Sequence, residues 1–195
     1  MRIPTRILYV AVTAAFALMA AKPEGVAGTF RVYTQVVAMP EAGELTNLVL
    51  QTDTGRIAFL PPPGWRMRFE PKDAQIVWTS ADYTSVLSLK VVPDPDGSLR
   101  THLASRCRSR LAQEEPELRI VDEFVCYTAG QTGQAFDVQR SVPGRELITG
   151  RVACIPISGA VADLRLFNPE SQRQQRQTEL VMFLNSFRVA EHATP

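Results

Sequence analysis

Short connections between β-type segments are the feature that most limits how this chain can fold. Between Thr29 and Val92, runs rich in β-branched and aromatic residues are separated by turns of only a few residues. A parallel crossover needs about a dozen residues or more, so most neighbouring segments can pair only as antiparallel strands. The chain is therefore predicted to be an α+β protein with an antiparallel sheet of about six to eight strands.

Two segments are predicted to be the main helices that cover this sheet. The first, residues 98–115, repeats apolar side chains at four-residue intervals on one face, at Leu99, Leu103, Cys107 and Leu111. Ser98 is its predicted N-cap. The second is predicted to be capped by Asn168, to have Pro169 at its first position, and to run to about residue 185. Residues 186–190 are expected to add a last short strand.

A proline run divides the strand series near its middle. Pro61, Pro62 and Pro63 have no N–H to donate, so residues 61–64 are predicted to break the hydrogen-bonded ladder. Directly after them, Trp65 is either a core anchor beneath the bend or an exposed aromatic contact for a partner. Arg66 and Arg68 alternate with apolar neighbours and form a basic strand face, which either meets an acidic partner or is simply solvated. Trp65, Arg66 and Arg68 are the predicted interaction surface.

Three sequence features resemble the PsbP-like family over residues 55–190. They are the strand and turn from Phe59 to Trp65 (FLPPPGW), the hairpin that leads into the first helix, and the closing run from Leu184 to Arg188 (LNSFR). The resemblance implies an exported or lumenal domain in which helices sandwich an antiparallel sheet (α/β/α). It further implies a non-enzymatic binding or assembly role. It supplies no catalytic or cofactor-binding residues.

The amino terminus has the layout of a secretory signal peptide. Residues 1–21 begin with two arginines, continue as an uncharged apolar run of 15 residues and end in small residues. Cleavage is expected after Ala21, or else after Ala27. Since the run is shorter than the roughly 20 residues that span a bilayer, the mature protein is expected to be periplasmic or secreted, without stable membrane insertion. The alternative is an uncleaved anchor.

The rest of the chain is divided into three predicted segments. Residues 22–54 are predicted to be an N-terminal strand segment packed on or preceding the domain, residues 55–190 the PsbP-like domain, and residues 191–195 a loose tail.

Removing the leader takes the basic count from 21 to 19 against 20 acidic residues, a net charge of −1. That balance gives no field to attract a nucleic acid, so no nucleic-acid partner is expected.

Three cysteines are an odd number for an exported chain. Cys107, Cys126 and Cys154 all fall on predicted core faces, and sequence spacing cannot decide among the three possible pairings. A disulfide between Cys126 and Cys154 is the preferred prediction, with Cys107 left as a buried thiol. The alternative is three unpaired buried thiols.

Motifs for catalysis or metal binding are missing from the sequence. His102 and His192 are the only histidines, with neither the Cys-x-x-Cys nor the His-x-x-x-His spacing of metal sites. Asp94 and Asp96 imitate the start of a calcium loop but lack its distant glutamate, so they are interpreted as a turn that launches the helix. No nucleophile elbow surrounds any serine, Ser158 included. No catalytic, metal or cofactor residue is predicted.

The sequence thus favours an exported, non-enzymatic binding or assembly domain of the bacterial cell envelope, with an unknown protein or other envelope component as partner. Two alternatives stay open. One is an enzyme whose site is assembled from distant residues around His102 or Cys107. The other is a structural protein tethered by an uncleaved N-terminal anchor.

Overall fold

A computed structural model describes residues 30–39, 43–52, 55–70, 73–128 and 130–191. The signal-peptide prediction for residues 1–21, both cleavage positions and most of the tail lie outside these residues. The strands are β1 (Arg31–Met39), β2 (Gly43–Gln51), β3 (Gly55–Phe59), β4 (Arg66–Glu70), β5 (Gln75–Thr79), β6 (Val86–Pro93), β7 (Arg119–Thr128), β8 (Gln131–Arg140), β9 (Ile148–Ile157), β10 (Ala160–Pro169) and β11 (Arg188–Glu191). The helices are α1 (Ser98–Thr101), α2 (Leu103–Glu114) and α3 (Arg173–Ser186).

Seven strands form the main sheet, in the order β4-β5-β6-β10-β9-β8-β7. Every pair in it is antiparallel, as the short connections require. With two main helices on it, this sheet confirms the predicted α+β class and strand number. No helix among the described residues is both long enough and apolar enough to cross a bilayer.

A second sheet of four strands, in the order β1-β2-β3-β11, joins the two ends of the described chain. β11 pairs with β3, so that Arg188 lies opposite Ala58. The proline run connects the two sheets, because β3 belongs to the small sheet and β4 to the large one. The ladder stops at this run, as predicted, and Gly64 takes a left-handed conformation (φ 76°) that favours glycine.

The face of the main sheet that carries the small sheet and α3 is called here the α3 face. At its centre is a cluster of aromatic side chains from the main sheet, the small sheet and α3. Phe59 of β3 lies 5.7 Å from Trp78 of β5 and 5.1 Å from Phe183 of α3, measured between ring centroids. All three side chains are buried, and such aromatic contacts contribute to stability beyond the area that they bury.

The opposite face, called here the α2 face, is covered along β8, β9 and β10 by α2 together with the short α1 that precedes it. The predicted apolar stripe is confirmed: Cys107 and Leu111 are buried against the sheet, while Leu99 and Leu103 are partly buried beside them. The predicted single helix over residues 98–115 is interrupted at His102, whose backbone leaves helical geometry (φ −125°, ψ 44°).

Two predicted helix caps are wrong. Ser98 is the first residue of α1, and the carboxylate of Asp94 instead accepts hydrogen bonds from the backbone N–H groups of Leu99 and Arg100 (2.9 and 3.1 Å). Asn168 lies inside β10, next to its last residue, and its amide donates to the Thr149 hydroxyl rather than capping a helix. A short 3₁₀ turn, Glu170–Gln172, then leads into α3.

Candidate binding face

Among the residues that the structure describes, no helix lies over half of the α2 face. α2 packs on β8, β9 and β10, whereas β4, β5 and β6 present mostly polar side chains that the pairing register places on one side of the sheet. We call this surface the open face; it comprises Arg66, Arg68, Glu70, Gln75, Val77, Thr79, Val86, Ser88 and Lys90. Apart from the buried Val77, these side chains are exposed or half-buried.

A cleft of about 320 Å³ lies where the open face meets the carboxyl end of α2. It is lined by Gln75, Val86, Ser88, Lys90, Glu114, Glu115, Asp163, Arg165 and Phe167. Most of these side chains are polar or charged, and Val86 and Phe167 supply apolar contact. The cleft therefore suits a ligand that carries charged groups on a partly apolar body.

Asp163 is the centre of an ionic network at the wall of this cleft. Its carboxylate is buried and accepts hydrogen bonds from Arg110 (2.6 Å) and Arg165 (2.7 Å). Arg165 also pairs with Glu114 of α2. Burial by itself would lower the pKa of Arg165, but hydrogen bonds and charge from Asp163 and Glu114 raise that pKa overall. The network ties α2 to β10 and leaves the guanidinium of Arg165 firmly charged.

Lys90 differs from the other cations of the cleft. It lies opposite Asp163 in the pairing of β6 with β10, yet its ammonium makes no hydrogen bond or ion pair with any residue that the structure describes. Arg165 and Arg110 already occupy the carboxylate of Asp163. Lys90 is thus a half-buried cation in the cleft whose hydrogen-bonding capacity is available to a ligand.

The structure places Arg66 and Arg68 on the open face, at the edge strand β4. The guanidinium of Arg66 lies 4.8 Å from the centroid of the Tyr83 ring, and Arg68 forms a 2.5 Å ion pair with Glu70. Both arginines remain exposed. Together with Lys90 they give the strands of the open face more positive than negative charge.

Trp65 is separated from these two arginines. Its ring packs at the border of the apolar core on the α3 face, where the guanidinium of Arg176 lies 5.3 Å from its centroid. Arg176 is itself held by Asp82 (3.2 Å) and Glu179 (3.0 Å). Of the predicted surface, Arg66 and Arg68 share one face and Trp65 points to the other side.

The turn between β5 and β6 carries Asp82, a carboxylate with an unusual pKa. Hydrogen bonds from the Ser80 and Thr84 hydroxyls hold the pKa of Asp82 well below its ordinary range. Asp82 also accepts from Gln172, just before α3. It therefore links the β5–β6 turn to the start of α3.

The structure contradicts the predicted disulfide between Cys126 and Cys154. All three cysteines are free, buried thiols. Cys126 belongs to the core of the α3 face and Cys154 to the core of the α2 face, so the sheet itself separates them. Their positions differ by one residue in register, and successive residues of a strand point to opposite faces. Cys154 shares the cluster of the α2 face with Cys107.

His102 and the aspartates of the turn do not form a chemical site. His102 is exposed at the break between α1 and α2 and does not line the cleft. Asp94 and Asp96 both accept hydrogen bonds from the first backbone N–H groups of α1, which confirms their interpretation as a helix-launching turn. Within the described ranges, no three His, Cys, Asp or Glu side chains converge as metal ligands.

Sequence reasoning missed the residues that build the cleft: Lys90, Glu114, Glu115, Asp163 and Arg165. One signal was available. Asp163 and Arg165 stand two residues apart inside an otherwise apolar strand sequence, AVADLRLF. That spacing puts both on one strand face, and a buried carboxylate needs a paired cation.

No protein-family model matches the chain, and no curated protein sequence matches it. Solved structures do. The solution structure of cyanobacterial PsbP (CyanoP) from Synechocystis sp. PCC 6803 superposes with a TM-score of 0.55 at 15% identity, over 89% of this chain and 99% of that one. The crystal structure of the Saccharomyces cerevisiae Ran-binding protein Mog1p superposes with a TM-score of 0.50 at 12% identity, over 83% and 97%.

These similarities confirm the predicted resemblance at the level of the fold. Both known proteins are matched over nearly their whole length and over most of this chain, so the likeness concerns the PsbP-like fold as a whole and not a fragment of it. At such identities the comparison extends to architecture only.

Proposed function

We propose that this chain is an exported, non-enzymatic binding domain of the bacterial cell envelope, and that its open face holds an acidic segment of a partner protein. The observation that carries the proposal is the bare half of the α2 face with its charged cleft. An antiparallel sheet can leave one face in water, so the bare face alone does not imply a ligand. Here it presents exposed and half-buried polar groups around a concave site.

The charge of the open face selects an acidic partner. Arg66 and Arg68 project from β4 and Lys90 from β6. Glu70 is the one acidic side chain on the three strands of the open face, and it is already paired with Arg68. Glu114 and Glu115 at the end of α2 face the far side of the cleft. An acidic segment is thus attracted toward β4 and repelled from α2, which fixes the side on which it lies.

Two further observations support binding and export. The fold is shared with a protein whose name describes it as Ran-binding, so the architecture is compatible with holding another protein; this is an analogy of fold. The leader at residues 1–21 has the composition of a secretory signal. Cys107 and His102, around which an enzyme was conceivable, are absent from the lining of the cleft.

Titration with defined peptides tests the binding proposal. A glutamate-rich peptide with an aromatic residue at its centre is added to the ¹⁵N-labelled chain, and a lysine-rich peptide of equal length serves as the comparison. We expect the acidic peptide to shift the amide signals of β4–β6 and the lysine-rich peptide to leave them unchanged. Binding should weaken as salt is raised, because exposed charges are screened over about 10 Å at 0.1 M.

A matched pair of variants locates the site. The double change Arg66→Glu and Arg68→Glu should lower the affinity for the acidic peptide by roughly tenfold, because two exposed charge contacts are lost. Arg56→Glu reverses an exposed strand arginine of the small sheet and should leave affinity unchanged. Equal effects of the two changes, or equal binding of both peptides, would contradict an acidic partner on the open face.

Intact mass of the protein recovered from the envelope tests export. Cleavage after Ala21 shortens the chain from 195 residues to 174, and cleavage after Ala27 shortens it further to 168. A membrane-bound product of 195 residues would instead favour the tethered structural protein.

A further inference from the structure

The outer side of β4, the edge strand of the seven-stranded sheet beside the open face, is unpaired. β4 pairs with β5 over all five of its residues, Arg66–Glu70. Within the described ranges, no residue outside β5 forms a hydrogen bond with the backbone of this strand. In an edge strand, about half of the N–H and C=O groups point away from the neighbouring strand. β4 therefore presents a row of donors and acceptors to which a further strand can bind.

β4 also lacks the features that usually protect an edge. Bulges and prolines are common protections, but the register of β4 with β5 has no bulge and its sequence has no proline. At the opposite edge, β7 is irregular between Ile120 and Asp122. In the small sheet, Arg31 is the one charged side chain of β1, and β11 carries Arg188 and Glu191. Among the described edges, β4 is the regular one that places two arginines on one face.

We propose that the acidic segment of the partner binds as an eighth strand beside β4, with acidic and apolar side chains in alternation. This inference rests on the proposed function and states how the open face holds the segment. Main-chain hydrogen bonds to the outer side of β4 supply affinity, and the alternate side chains supply specificity. A second copy of β4 is a poor occupant, because antiparallel pairing keeps its arginines on the same face as those of the first.

The side chains of β4 determine the pattern of the partner segment. Arg66 and Arg68 are exposed on the open face. Met67 and Phe69 belong to the α3 face, since Met67 lies opposite the buried Trp78 in the pairing with β5. Residues opposite each other on neighbouring strands share a face, with Cβ atoms about 4.5–5.5 Å apart. Acidic side chains of the added strand thus meet the arginines, and its apolar side chains meet the other face.

Met67 is the main apolar contact that β4 offers to such a strand. Its side chain is 50% exposed. The ring of Phe69 is already stacked on Phe30, with 5.4 Å between centroids and 6° between the ring planes. An apolar residue placed opposite Met67 therefore covers surface that no described side chain buries completely, and burial of that surface favours binding.

Two short peptides of identical composition test the alternation by calorimetry. One alternates glutamate and valine, and the other has its glutamates first and its valines after them. We expect the alternating peptide to bind about tenfold more tightly, because only it presents all its acidic side chains to one face of the sheet. Equal affinities would overturn the added strand and leave the acidic partner standing. If neither peptide binds, both proposals are wrong.

N-methylation of the alternating peptide tests the main-chain pairing, since it removes one N–H donor and leaves the side chains unchanged. Successive N–H groups of a strand point to opposite edges. One N-methyl group, on the central glutamate or on the next valine, therefore faces β4 in one peptide and solvent in the other. We expect one of the two to bind at least about fivefold more weakly and the other to bind like the parent. Equal effects of the two methyl groups would contradict strand pairing.

A matched pair of methionine variants locates the strand along β4. Met67→Glu places a carboxylate opposite the valines and beside the glutamates, so we expect it to lower the affinity for the alternating peptide about fivefold. Met182→Glu changes a methionine of α3 that is 65% exposed and should leave the affinity unchanged. Met67→Leu keeps an apolar side chain and should bind like the wild type. The same affinity in Met67→Glu and Met182→Glu would show that the peptide does not lie along β4.

Discussion

The two faces of the seven-stranded sheet are closed by different kinds of contact. The α3 face is covered by a second sheet and a helix that meet in an aromatic cluster. In the described part of the chain, the α2 face is covered over only half its width, mainly by a helix that relies on a small apolar cluster and on ionic contacts around Asp163. Stability is therefore concentrated on one face, and the other has surface left for binding.

Removal of an aromatic ring from the α3 face should have the largest effect. Phe183→Ala leaves a cavity between Phe59 and Trp78 and should lower the free energy of unfolding by about 3–5 kcal/mol. Urea unfolding followed by Trp fluorescence measures it. Met182→Ala, one residue earlier on α3 and 65% exposed, is the control and should change stability by less than about 0.5 kcal/mol. Similar losses in both variants would mean that the cluster is not the main core.

The ionic contacts of the α2 face should give a smaller loss. Asp163→Asn keeps the shape of the side chain but leaves Arg110 and Arg165 without their shared carboxylate. Breaking a buried pair is costly, and both arginines keep some solvent, so we expect a loss of about 2–4 kcal/mol. Asp122→Asn, an exposed aspartate on β7, is the matched control. An Asp163→Asn chain as stable as this control would show that α2 is held by its apolar contacts alone.

Acid should weaken the start of α3. Because the pKa of Asp82 is lowered in the folded chain, its contribution to stability is complete above its ordinary pKa of 3.8 and is lost as pH falls below that value. The pKa of Glu146, which accepts hydrogen bonds from the Ser171 hydroxyl and N–H, is lowered from 4.5 and acts in the same direction. The melting temperature should therefore fall below about pH 4, and less steeply in Asp82→Asn. Unchanged acid sensitivity in that variant would remove Asp82 as a cause.

The open face should contribute least to stability. Arg66 and Arg68 are exposed and make only surface contacts, so the double charge reversal should change the free energy of unfolding by less than about 1 kcal/mol. Peptide affinity in the same variant should fall as proposed above. A large loss of stability would instead assign these arginines a structural role. In that case the neutral variant Arg66→Gln separates the effect of charge on binding from the effect on folding.

Local patterns predicted much of the fold. Short connections forced antiparallel pairing, and the four-residue spacing of apolar side chains identified the buried side of α2. The proline run marked the end of a ladder because missing N–H groups stop one in any context. These features depend on the backbone and on near neighbours in sequence, so the sequence alone was sufficient to predict them.

Features that depend on distant partners were not predictable in this way. Nothing local to residues 188–191 states that they pair with β3 and not with another edge. Asn168 and Pro169 fit a helix start as well as a strand end, and the buried hydrogen bond to Thr149 decides between them. The cysteines showed the same limit, since alternation gives the face of Cys126 and of Cys154 but not which helix lies above each.

The pairing of β11 with β3 also affects when the molecule can finish folding. The small sheet needs residues 188–191, and the aromatic cluster needs Phe183 and Phe187, so both halves of the largest core wait for the last part of the chain to be synthesised. Contacts across so long a stretch close slowly, because the intervening chain must first be gathered. A nascent polypeptide therefore cannot complete this core until residues 183–191 have been synthesised.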